Sequence, residues 1–174
     1  MATFWRHGYD ATTYKLLEEV TGVGVKSLHN VFGEKEDLFV RVLKIYREMA
    51  EGIIAKVFDP PSPDAIIVLF QSMSLKTEAA VDIANAGCLM VNSVFELGKT
   101  SDAIRVEIDG YREMWRRTFE TSLKAGAIAD ANTRAEFLLG AMWGALSQIR
   151  LAGRTEAAAP LARVVVDTVK SWRE

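Results

Sequence analysis

Between Thr12 and Phe39 the chain reads TTYKLLEEVTGVGVKSLHNVFGEKEDLF. Leu16, Leu17 and Val20 recur at helical spacing, and Thr13 stands where a hydroxyl caps a helix running through Val20. Gly22 follows, where a turn needs a positive φ at low cost. Gly24 or Val25 opens a second helix through about Val31, Gly33 ends it, and Lys35 begins a third. Leu16, Leu17, Val20, Val23, Leu28 and Phe32 are spaced to hold the two short helices at a fixed angle. Few arrangements satisfy that pattern, so this stretch limits the fold more than any other.

The remainder carries helical periodicity and no alternating apolar run bounded by hairpin turns, so the fold class is all-α. A long helix is expected from Lys35 to about Phe58, with Leu38, Val42, Ile45, Met49 and Ile53 along one face. Prolines stand only at Pro60, Pro61, Pro63 and Pro160. The segment Asp59–Asp64, DPPSPD, is therefore the clearest punctuation. Further helices are expected over Pro63–Ala80, Gly87–Lys99, Ser101–Gly126, Thr133–Ala152 and Ala157–Trp172, with Ser101 and Asn132 or Thr133 as caps. Short connections between them describe a helical bundle. The division is an N-terminal unit, residues 1–46, whose helical pair covers about 13–32, and a C-terminal unit, residues 47–174.

Composition removes several classes. The chain has 174 residues, 49% hydrophobic and 25% charged, as expected for a globular protein with a sizeable core. Its longest apolar runs, Ala65–Phe70 and Ala162–Val166, are too short to span a bilayer, and MATFWRHGYD lacks a signal-peptide core, so a cytoplasmic location is expected. The lone Cys88 has no cysteine to pair with, and with only His7 and His29 it makes a poor zinc set, so no metal and no cofactor is expected. Net charge is −2. Met1–Arg47 holds seven basic and six acidic residues, a weak electrostatic footprint for a nucleic-acid binder.

Two short helices about a glycine turn, followed by a capped third, form the layout of a helix-turn-helix, whose second helix enters the major groove. The outward face of Val25–Val31 offers Lys26, Ser27, His29 and Asn30 to bases or phosphates, with Gly24 and Val25 at the helix start. Thr13, at a helix N-terminus, reads equally as a plain cap or as a phosphate contact. Lys35, at the start of the third helix, reads as a further phosphate contact.

The order Phe4, Gly8, Tyr9, Thr12, Thr13, then Thr21, Gly22, Val23, then Ser27, Leu28, then Phe32, Gly33, Lys35, Glu36, Leu38, Phe39 resembles the TetR family of one-component transcriptional regulators. The close match covers about Phe4–Tyr46, and GCLMVNS at Gly87–Ser93 is the most family-like string of the second half. The resemblance implies an N-terminal DNA-binding domain, a C-terminal ligand-binding and dimerisation domain, double-stranded operator DNA as partner, and repression relieved by a small-molecule effector.

Two departures qualify it. Many members begin the second helix Ser-Lys-Gly-Ser-Leu-Tyr, whereas this chain has Gly24-Val25-Lys26-Ser27-Leu28-His29. Val25 then replaces a basic residue and is placed to meet a thymine methyl. His29 replaces a tyrosine and is placed to bond a phosphate, more tightly when protonated. The family also carries most of a first helix and a basic arm ahead of the position of Phe4, where this sequence has only Met1–Thr3. An upstream segment or a misassigned start is expected. A chain truly this short is expected to bind its operator weakly.

Such a regulator needs a switch. Phe70, Met73, Asn92, Phe95, Tyr111, Trp115, Phe119 and Trp143 are the candidate ligand-binding residues, and their character suits a small, largely apolar effector. The same stripe also reads as ordinary core. The segment FLLGAMWGALSQI, Phe137–Ile149, is apolar on more than one face. Phe137, Ala141, Gly144, Ala145 and Gln148, with Leu161, Val165 and Val169 of the last helix, are the candidate homodimer interface. Nothing in the chain has the spacing of a catalytic triad, a CxxC pair, HExxH or a phosphate-cradling loop, so no enzyme is expected. The remaining alternative is a helical ligand-binding or interaction module with impaired DNA binding or none.

Overall fold

The computed structural model describes residues 1–75, 85–97 and 101–173. Nine α-helices and one short 3₁₀ turn account for the described elements: α1 (Ala2–Ala11), α2 (Tyr14–Thr21), α3 (Val25–Phe32), α4 (Lys35–Val57), α5 (Pro63–Met73), α6 (Leu89–Leu97), α7 (Asp102–Ala125), α8 (Ala131–Ala152), the turn Thr155–Ala158, and α9 (Ala159–Ser171). The expected helices over Pro63–Ala80 and Gly87–Lys99 are present as α5 and α6. Their outer residues, 76–80 and 98–99, lie outside the described set.

The helix boundaries follow from local chemistry. Thr13 Oγ1 accepts from Leu16 N at 3.1 Å and caps α2, which ends on Gly22 at φ 70°. Glu34 and Asp37 form a reciprocal capping box at the start of α4. Ser62 caps α5 ahead of Pro63, and Ser101 caps α7. The cap of α8 differs from expectation. The helix starts at Ala131 behind Asp130, which holds φ 52° and whose side chain makes no capping bond.

α1–α3 and the first turns of α4 make the head, and the remaining helices make the body. α4 belongs to both. It packs along α7, α7 packs along α8, and α9 along α5. Arg112 bonds Glu136 while Arg116 bonds Asn132, so α7 and α8 run antiparallel. One continuous apolar core joins head and body, with Phe4 and Phe39 buried at one end and Phe70, Phe119 and Leu138 at the other.

The buried face of α4 differs from the one that periodicity marks. Ile45, Met49 and Ile53 are about half exposed, at 50%, 48% and 47%. Val42 of that face is buried, and Leu43, Ala50 and Phe58 are buried in place of the other three. α4 carries apolar residues on two faces, and α7 packs against the one containing Leu43, Tyr46 and Ala50. In the head, Val20 and Val23 are exposed, at 56% and 43%. Leu17 and Leu28 are the buried contacts between the two short helices. No helix among the described residues is long and apolar enough to cross a membrane.

Candidate DNA-reading helix and effector site

α3 is presented by its partners. Leu28 fixes its inner side, and Glu18 of α2 accepts the Val25 N–H at 3.3 Å. Tyr14 Oη donates to Gly33 O at 2.6 Å, tying α2 to the turn after α3. Lys26, Ser27, His29 and Asn30 are exposed on the outward side, and Val25 is half-buried beside Gly24. The helix therefore turns a short polar face outward from a rigid two-helix unit.

His29 is less available than the sequence indicates. Its ring stacks on Tyr14 at 4.9 Å, and Nε2 lies 3.9 Å from the Glu34 carboxylate. A phosphate at this position would have the exposed Glu34 carboxylate as a neighbour. Thr13 acts as the cap of α2, yet a hydroxyl that accepts a bond still has a proton to donate, so the cap and a phosphate contact are compatible. Lys35 is placed differently from expectation. Its Nζ donates to Tyr9 O at 3.1 Å and Asp10 O at 3.5 Å and sits 4.1 Å from the Tyr9 ring centre. Its charge stabilises the end of α1 instead of projecting outward.

In the body, four of the candidate ligand residues meet. Phe70, Tyr111, Trp115 and Phe119 are all buried. Their rings form a chain, with Tyr111–Trp115 at 6.3 Å, Trp115–Phe119 at 5.7 Å and Phe119–Phe70 at 6.3 Å. Two members of this column were not legible in sequence. Phe58 stands 6.2 Å from both Trp115 and Phe119. Tyr46 stands 5.9 Å from Tyr111 and makes an edge contact with Trp5 of α1 at 4.9 Å. An unbroken aromatic path thus runs from the head into the body. Between Tyr46 and Tyr111 lies the buried Cys88 sulfur, 3.3 Å and 3.6 Å from the two hydroxyls. Burial and that sulfur push both phenols well above the ordinary tyrosine range.

The other four candidates are arranged otherwise. Phe95 points away from the column and is 80% exposed, because Met90, Val91, Ser93 and Leu97 take the inner face of α6. Asn92 Nδ2 donates to Ala86 O at 3.1 Å and closes the turn before α6. Met73 packs beside Ala145, Ile149 and Ala158. Trp143 packs on the main core with its indole N–H buried and unpaired. A recess of about 220 Å³ opens beside Phe58, walled by Ile54, Pro61, Thr118, Thr121 and Ser122 with Arg117 at its edge, and the buried Ser122 Oγ has no partner.

On α8 and α9, Phe137, Gly140, Gln148, Leu151 and Val164 are exposed, whereas Ala141, Gly144 and Leu161 are half-buried, with Ala141 and Leu161 packed against the subunit's own core and Leu161 lying over Gly144. Ala145, Val165 and Val169 are fully buried inside the subunit and do not belong to that exposed set. The apolar outward positions missed in sequence are Leu151, 83% exposed, and Val164, 56% exposed.

A capped, buttressed helix pair on an all-helical body defines a helix-turn-helix regulator. The profile described as "Bacterial regulatory proteins, tetR family" matches residues 1–42, and that described as "Tetracyclin repressor-like, C-terminal domain" matches residues 69–165, more than half of the chain. The chain belongs to the TetR family of transcription regulators. It is 28% identical over 183 residues to the HTH-type transcriptional repressor ComR of Escherichia coli (strain K12), an alignment covering all of this chain and 85% of that protein. Among solved structures, a TetR-family regulator from Agrobacterium tumefaciens superposes with a TM-score of 0.83 at 19% identity, covering 95% of this chain and 90% of its own. One from Chloroflexus aurantiacus gives 0.83 at 20% identity, covering 97% and 89%. The shared fold is an N-terminal helix-turn-helix with a C-terminal helical domain.

Proposed function

We propose that this chain is a cytoplasmic, homodimeric repressor that grips operator DNA through α3 and releases it when a small, largely apolar effector binds the body. The observation that carries the reading is the outward face of α3. Lys26, Ser27 and Asn30 extend from a helix whose opposite side is anchored by Leu28 and whose start is held by Glu18. In this reading Lys26 neutralises a phosphate, and Ser27 and Asn30 address base edges or backbone. Gly24 and Val25 lie close to the groove floor, and Thr13 donates to a phosphate. The effector enters by the recess at Phe58 and reaches the column of Trp115 and Phe119. Two subunits pair through the outer side of α8 and α9, bringing Phe137, Val164 and Leu151 out of water.

A module that no longer binds DNA is the second reading. Lys35 supports it, since its ammonium is taken up by carbonyls within the subunit. One assay separates the two. The labelled duplex is the DNA immediately upstream of the chain's own coding sequence, titrated at several salt concentrations against a scrambled duplex. The repressor reading expects selective binding. It expects Lys26→Ala to weaken binding roughly ten-fold and to lower the salt slope by about one unit. Equal binding to both duplexes, or none to either, favours the second reading.

A further inference from the structure

α1 is not one straight helix. Gly8 holds φ 80° and ψ 179°, which breaks the helix and starts a separate turn at Tyr9. The N–H groups of that turn have lost their helical acceptors. A body residue supplies new ones. Glu96, near the end of α6, accepts Tyr9 N through Oε2 at 3.0 Å and Asp10 N through Oε1 at 2.8 Å. Its approach depends on the missing side chain at Gly8, where a Cβ would lie 2.8 Å from Oε2 and 3.1 Å from Oε1. The opposite end of the turn is held by Lys35, whose ammonium takes the carbonyls of Tyr9 and Asp10. The turn thus has an anion on its amides and a cation on its carbonyls, the arrangement that its peptide dipoles favour.

We propose that Glu96 is a positioning residue for DNA reading, a latch by which the body sets the placement of the helix-turn-helix. This rests on the repressor reading given above. The turn leads directly into α2. Thr12 Oγ1 donates to Gly8 O at 2.7 Å, and Thr13 is already the cap of α2. Tyr14 then ties α2 to the turn before α4, and Lys35 returns from α4 to Tyr9. The head is a closed set of contacts, and the Glu96 carboxylate joins it to α6 through two charge-assisted hydrogen bonds. A shift of α6 that withdraws Glu96 frees both amides at once. It lets the turn at Tyr9 and α2 behind it shift while the core of the body stays packed.

The test compares Glu96→Ala and Glu96→Gln with the unaltered protein. Three readouts are needed: affinity for the upstream duplex, thermal melting, and amide hydrogen exchange. Glu96→Ala is expected to weaken DNA binding about ten-fold, the scale of one well-placed charge-assisted bond. Its melting temperature should stay within about 2 °C, because an exposed carboxylate contributes little to global stability. Glu96→Gln keeps one carbonyl acceptor and should recover part of the loss. Faster exchange in Glu96→Ala should be confined to residues 1–33. Unchanged affinity in Glu96→Ala overturns the proposal, and so does a fall in affinity that only follows a fall in melting temperature. If the unaltered protein binds no DNA, the repressor reading fails. Exchange then decides the latch, with local acceleration in residues 1–33 supporting it and unchanged protection there overturning it.

Discussion

Tyr46 Oη donates to Cys88 Sγ at 3.3 Å, joining the helix that carries the head to the residue just ahead of α6. Tyr111 closes on the same sulfur from α7. Both phenols are pushed well above their ordinary value near 10, chiefly by burial and then by Cys88. In the folded protein they resist ionisation, while in the unfolded chain they ionise near the ordinary value. The stability they contribute is therefore complete below about pH 10 and is lost as pH rises towards the folded value. Urea unfolding at about pH 9 and about pH 11 should show the midpoint falling. The double variant Tyr46→Phe/Tyr111→Phe should flatten that alkaline decline and cost about 1 kcal/mol near neutrality. An alkaline decline of the same slope in the double variant argues against the buried phenols as its source.

At the other end of the pH scale the surface of α7 governs. Arg116 and Arg117 donate to the Glu113 carboxylate at 2.6 to 2.9 Å and hold it down to about 2, from an ordinary 4.5. A carboxylate lowered in this way stabilises the fold above its unfolded value. The contribution disappears as pH falls from about 5 towards about 2. Its place at the solvated surface of α7 keeps the contribution small. Glu113→Gln should leave the melting temperature nearly unchanged at neutral pH and make its fall below about pH 5 shallower. Circular dichroism melts across that range measure it, and an acid limb identical in both proteins counts against the network.

Gly87 is a backbone requirement. It holds φ 73°, and a Cβ there would stand 2.7 Å from Leu146 O and 3.0 Å from Arg150 Cβ. Its carbonyl meanwhile accepts the Trp5 indole N–H at 3.1 Å. Gly87→Ala therefore combines a disfavoured backbone with a clash against main chain, and the turn cannot shift without losing Trp5. The expected cost is about 3 kcal/mol. Chemical denaturation measures it, and a cost below about 1 kcal/mol would show that the turn relaxes freely.

The head was legible because its signals are local. Thr13, Gly22 and Gly33 mark helix ends within a few residues of their partners, and the order of elements follows. The faces were less legible. α4 has apolar residues on two sides, so periodicity alone selects Ile45, Met49 and Ile53 as readily as Leu43, Tyr46 and Ala50. Only the packing of α7 decides. In α9 three valines stand in succession, and a rotation of one residue exchanges the buried Val165 for the exposed Val164. Contacts distant in sequence were not legible at all. The bond from Tyr9 N to Glu96 spans 87 residues, and nothing near Lys35 reveals that its charge is taken up by the carbonyls of α1.

That exchange of Val165 for Val164 sharpens the test of the dimer. Val164 and Leu151 are outward and apolar, and Gly140 of α8, where a Cβ would meet nothing within 4 Å, leaves room for a partner helix to approach closely. Val165 and Val169 have no exposed surface to offer. If two subunits pair through this face, Val164→Glu places a charge in the contact, and isologous symmetry places it there twice. Sedimentation velocity should show the unaltered protein as a dimer and Val164→Glu as a monomer. The folded body should survive, since the substituted residue is a surface one within its own subunit. Val165→Ala provides the contrast. It opens a cavity in the core, lowers stability by about 2 kcal/mol and leaves the dimer intact. A Val164→Glu protein that still sediments as a dimer places the interface elsewhere, and a Val165→Ala protein that dissociates without losing stability returns it to the inner valines.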